Sequence, residues 1–93
     1  MSVLGGWNIE EMKSCNLPQK AASAFTAVTG ELVGAEYQPV LYVGSQLVNG
    51  TNYCIFAIQK IVVPKSEQRL VKMIINVASD GAASLVSVSG VAL

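Results

Sequence analysis

The chain of 93 residues contains no histidine. That removes the commonest general base at neutral pH, the usual partner of a Ser or Cys nucleophile, and the commonest transition-metal ligand. The carboxylates offer little in its place. Glu10 and Glu11 are neighbours and point different ways on any regular element, while Glu31, Glu36, Glu67 and Asp80 fall in expected helix-end or loop regions. Acid–base chemistry on paired carboxylates needs two such groups converging on one substrate atom or bond, and no spacing here arranges that. Cys15 and Cys54 are a single pair without short metal-type spacing. Neither a zinc site nor a disulfide framework follows from them, and reduced thiols are expected, with Cys54 a small hydrophobe of the core. No glycine pattern follows a strand and opens a helix, so no phosphate cradle is expected. The residues point away from an enzyme, and they call for no cofactor and no metal.

Contact with another surface is the chemistry that remains. Two stretches carry apolar side chains without an evident core role: Leu47-Val48, beside Asn49-Gly50, and Val3-Leu4-Gly5-Gly6-Trp7. Asn49-Gly50 is a strong hairpin signal and predicts a type I′ turn, in which both central residues take φ > 0. Turn tips are ordinarily polar, so Leu47 and Val48 either pack at the end of a strand or meet a partner. Trp7, the only Trp, either anchors the N-terminal segment in the core or belongs to a displayed segment that hinges at Gly5-Gly6. Asn49-Gly50-Thr51 also matches the N-glycosylation sequon. A glycan there would block any contact that the tip makes, and with no basic-then-apolar leader at the N-terminus none is expected.

The elements that must position these residues follow from periodicity. Leu17, Ala21, Ala24, Phe25, Val28 and Leu32 are spaced as one face of a helix over residues 17–33, with Asn16 as N-cap, Pro18 in the first turn, and Gly30 or Gly34 as the stop. From Tyr37 onward the period is two and β-branched residues dominate. Strands are expected over Gln38–Val48, Thr51–Val63, Leu70–Ala78 and Ser84–Val91. Tight turns at Asn49-Gly50 and near Asp80-Gly81, with a polar connection over residues 63–69, make an antiparallel meander the economical topology. Val71, Met73, Ile75 and Val77 form the expected core face of the third strand, whereas the second strand is apolar on both sides and its facing stays open. The class is α+β, one domain over residues 1–93.

Six basic and six acidic residues cancel and form no block, so neither nucleic acid nor an anionic membrane is an expected partner. Hydrophobic residues make up 52% of the chain and mean hydropathy is +0.48. Even so, the longest apolar runs, such as Ile61-Val62-Val63 and Met73-Ile74-Ile75, fall far short of the roughly 20 residues that span a bilayer. A cytoplasmic location is the expectation.

Gln46-Leu47-Val48-Asn49-Gly50 resembles the Gln-x-Val-x-Gly hairpin of the cystatins, and Thr51-Asn52-Tyr53 with its alternating continuation resembles that family's next strand. The likeness is closest to the stefins, the small intracellular branch without signal peptide or disulfides. Leu4-Gly5-Gly6 is similar to the family's N-terminal glycine trunk. The order of trunk, helix, hairpin and two further strands covers nearly the whole chain. The resemblance implies a cystatin-like fold, a single long helix packed on a four- to five-stranded antiparallel sheet. It also implies a reversible, tight-binding inhibitor of papain-like, cathepsin-type cysteine proteases, whose wedge of trunk and two hairpins plugs the active-site cleft. Carried over residue by residue, Leu4 with Gly5 or Gly6 is the trunk, Gln46 through Gly50 the first hairpin, and Ser79, Asp80 and Gly81 the second. This chain departs from the family in that second hairpin, where small residues replace the usual apolar pair, which implies weaker binding or a shifted protease preference. The alternative is a non-inhibitory module of the same fold that self-associates, its first two strands exchanging between copies through an opened hairpin.

Overall fold

The computed structural model describes residues 9–62 and 67–93. The elements are α1 (Gln19–Thr29), β1 (Ala35–Val48), β2 (Gly50–Ile61), β3 (Glu67–Val77) and β4 (Ala83–Gly90). The strands form one antiparallel sheet in the order β1-β2-β3-β4, the meander expected from the turn dipeptides.

Helix α1 is shorter at both ends than its apolar spacing suggests. Asn16 is not the N-cap. Pro18 holds that position with φ −53° and ψ 147°, no side chain among the described residues caps the helix, and the first intrahelical bond runs from the Ala22 N–H to the Pro18 carbonyl at 2.8 Å. Proline explains the shift, because the residue before it is pushed out of the helical region and Leu17 therefore cannot begin the helix. At the other end Thr29 Oγ1 donates to the Phe25 carbonyl at 2.7 Å. The N–H groups of Glu31 and Leu32 then bond back only three residues, to Val28 and Thr29. Such tightened bonds are how a last turn satisfies its leftover carbonyls. The chain turns away at Gly34, where φ is +87°.

One face of α1, comprising Ala21, Ala24, Phe25 and Val28, is buried. It packs on Ile55, Ala57, Val71, Met73 and Ile75 of the sheet. Small alanines let the helix backbone lie close to the sheet, and Phe25 supplies the bulk. Val71, Met73 and Ile75 are buried as their alternation predicts, with Val77 packed at the margin. The open question of β2 resolves the same way: Tyr53, Ile55, Ala57 and Gln59 face the helix and are buried, which places Cys54 and Phe56 on the opposite face. Cys54 is therefore half-buried on the outer face, and the expectation of a core cysteine is corrected. Neighbouring apolar side chains of the outer sheet occupy that side.

Two irregularities in β1, between Pro39 and Leu41 and between Tyr42 and Gly44, interrupt its ladder with β2. Proline cannot donate to a ladder, and such bulges are where an edge strand bends. The first lets the Cys15 N–H reach the Pro39 carbonyl at 2.9 Å, while Gln38 Nε2 donates to the Met12 carbonyl at 2.6 Å. The segment before the helix thus passes round the β1 edge. Its beginning, Ile9 to Met12, lies with Glu36, Gln38, Ile58 and Lys60 around a cleft on the outer face. This contact explains why Ile58, on the side away from the helix, is only 6% exposed.

Strand β3 begins at Glu67, so Gln68 and Arg69, expected in the connection, belong to the sheet. The register pairs Gln59 with Arg69, and Arg69 Nε donates to Gln59 Oε1 at 2.5 Å while Gln59 Nε2 donates to Tyr37 Oη at 2.8 Å. Gln59 is a buried polar residue, and these two bonds satisfy it. Of the expected connection, residues 63–66, with Pro64, lie outside the described residues.

Candidate functional site

Both hairpin turns lie at the same end of the sheet. Thr51 pairs with Val77, and the two turns extend from those positions, Asn49-Gly50 from β1 and β2 and Ala78 to Ala82 from β3 and β4. They touch. A Cβ added at Gly50 would collide with the Val77 carbonyl and stand 3.0 Å from Ala78 Cα, so the close approach demands glycine.

The first turn is not type I′. Gly50 has φ +87°, but among the described residues no non-glycine has positive φ, so Asn49 lies outside the left-handed region. Val48 pairs with Gly50 and Leu47 with Thr51, which leaves Asn49 alone at the apex. The contact with the second turn and a bond from Asn76 Nδ2 to the Asn49 carbonyl at 3.4 Å outweigh the local preference of the dipeptide. The second turn is closed by the Gly81 N–H to the Ala78 carbonyl and by the Ala78 N–H to the Ala82 carbonyl, both 2.9 Å. Asp80 Oδ1 accepts from the Ala82 N–H at 2.9 Å, an aspartate bonding its own backbone two residues on, and Gly81 takes φ +90°.

The site residues expected in the first turn are brought together and displayed. Leu47 is 88% exposed and Val48 45%, so the protruding member of the pair is Leu47. Ser79, Asp80 and Gly81 are exposed beside them. Gln46 differs from the others, because its side chain is engaged within the sheet, where Asn52 Nδ2 donates to Gln46 Oε1 at 3.2 Å. Leu4, Gly5 and Gly6, like Val3 and Trp7, lie outside the described residues. The described segment nearest to them, Ile9 to Met12, is at the end of the sheet opposite the turns, beside the Glu36–Lys60 and Lys60–Gln68 pairs.

Between α1 and the turns is an open cleft of about 790 Å³, bounded by Lys20, Ser23 and Ala27 on the helix side and by Thr51, Ala78 and Ser79 on the other. Among the described residues no three His, Cys, Asp or Glu side chains cluster as metal ligands. No helix among them is long and apolar enough to cross a membrane.

Fold and site together define a small α+β domain, one helix on a four-stranded antiparallel meander, that presents two abutting turns from one end. Comparison of the chain with protein-family models, with curated proteins and with solved structures finds no match.

Proposed function

We propose that this protein is a cystatin-like, reversible inhibitor of papain-like cysteine proteases that acts in the cytoplasm and docks through its turn end. The observation that carries the proposal is the abutment of the two turns, with Leu47 projecting from them at 88% exposure. An exposed leucine on a hairpin tied at both sides loses little conformational freedom on docking, so most of its transfer energy survives as affinity. Full burial of Leu47 would contribute roughly 1.5–3 kcal/mol. Nanomolar binding needs about 12 kcal/mol in all. The second turn offers Ser79 and Asp80, which add little apolar area, so affinity below that of a wedge with an apolar second hairpin follows. Titration of papain or a cathepsin with the purified monomer is the test, and absence of inhibition at micromolar concentration overturns the proposal.

A second reading, a self-associating module of the same fold without inhibitory activity, draws on a different observation. Leu41 and Val43 are 51% and 55% exposed. Leu41 stands opposite Phe56 on the face turned from the helix, and Val43 lines a groove there with Cys54 and Ile74. A patch of that kind suits a second copy. Light scattering beside the inhibition assay separates the two: a stable dimer without activity supports the module, and an active monomer removes it.

A further inference from the structure

On the outer face of the sheet the register sets three amides in a row across three strands: Gln46 opposite Asn52, and Asn52 opposite Asn76. They are joined in sequence. Asn52 Nδ2 donates to Gln46 Oε1 at 3.2 Å, and Asn76 Nδ2 donates to Asn52 Oδ1 at 3.0 Å. The same Asn76 nitrogen also reaches the Asn49 carbonyl at 3.4 Å, so the ladder ends on the backbone at the apex of the first turn. Asn is disfavoured in strands, and two of them directly opposite one another in the central pair gain nothing from strand propensity.

We infer that Asn76, on the strand leading to the second turn, is a positioning residue for the first. The Asn49 carbonyl belongs to the peptide between Asn49 and Gly50. Rotation of such a central peptide is what interconverts the common turn classes, and it carries the φ of the following residue from one sign to the other. A donor fixed on the Asn49 oxygen therefore holds Gly50 at φ +87° and, through Val48, fixes the direction in which Leu47 leaves the sheet. Gln46 then has a role within the sheet: it is the outer end of the ladder, and its amide anchors Asn52. The structural half of this inference stands on its own, while its consequence for affinity rests on the inhibitor reading.

Two variants and two readouts test it. Asn76→Ala removes the donor; Asn76→Asp keeps the size but loses the donor and sets a carboxylate against both the Asn49 and the Asn52 oxygens, and it serves if the alanine variant does not fold. In both, the Asn49 carbonyl carbon resonance is expected to move upfield, and the Gly50 amide–Hα couplings, which read φ, to depart from their wild-type values at φ +87°. Unchanged Gly50 couplings in both variants overturn the inference. For affinity, Asn76→Ala is expected to weaken papain inhibition about tenfold in the wild-type background and not at all in the Leu47→Ala background. Additive losses would mean that Asn76 acts on stability alone, and they overturn the positioning role. A wild-type protein that leaves papain active refutes the inhibitor reading, and the Gly50 couplings still decide the position of the turn.

Discussion

Leu47 and Gly50 sit three residues apart and answer to different demands. Leu47 makes little contact with its own fold, so Leu47→Ala is expected to leave the urea midpoint unchanged and to weaken protease binding by roughly 1.5–3 kcal/mol, measured as a ratio of inhibition constants. Gly50 is the reverse. Gly50→Ala forces a Cβ into the left-handed region and against the backbone of the second turn, and should lower folding stability by about 1–3 kcal/mol in urea titration. At this scale the sequence was legible in kind but not in detail. Asn49-Gly50 marked a hairpin correctly, because turn chemistry is local. It mispredicted the backbone at Asn49, because that depends on Asn76 and Val77, far away in sequence. The amide ladder left only a weak trace, two asparagines in strand runs where β-branched residues are the rule.

Elements were legible where one period dominated. Helix α1 and the alternation of Val71, Met73 and Ile75 followed from spacing, since burial on one face selects it. The ends did not, because they are decided by a proline's effect on its predecessor and by pairs such as Gln59 with Arg69 that join separate strands. The α1 interface is built on small residues, and that makes it sensitive to added volume. Ala24→Leu should destabilise the fold by about 1–3 kcal/mol through overpacking, read from the shift of the urea midpoint at constant slope. The opposite change beneath it, Met73→Ala, should cost about 2–5 kcal/mol, because the fully buried side chain leaves a cavity. Helix α1 has 11 residues and is about 16 Å long, whereas the 14 residues of β1 extend about 46 Å. The helix therefore spans only part of the length of the sheet, and an open cleft separates it from the turns.

Over the whole molecule this division sets an orientation. Ile9 to Met12 pack at one end of the sheet and the two turns project from the other, with the core between them. The resemblance read in the sequence adds a glycine trunk, Leu4 to Gly6, which lies outside the described residues; among those described, the turns carry the geometry that supports docking. On the proposed inhibitor reading, the turn end enters a protease cleft and Leu47 leads it. Stoichiometric titration of active papain with the monomer, run in parallel for the wild type and for Leu47→Asp, tests this most directly. Reversible inhibition by the wild type is expected, with a loss of several kcal/mol in the variant, which carries a charge into a desolvated contact while its fold is unchanged by circular dichroism. Equal potency of the two proteins, or no inhibition by either at micromolar concentration, would contradict it.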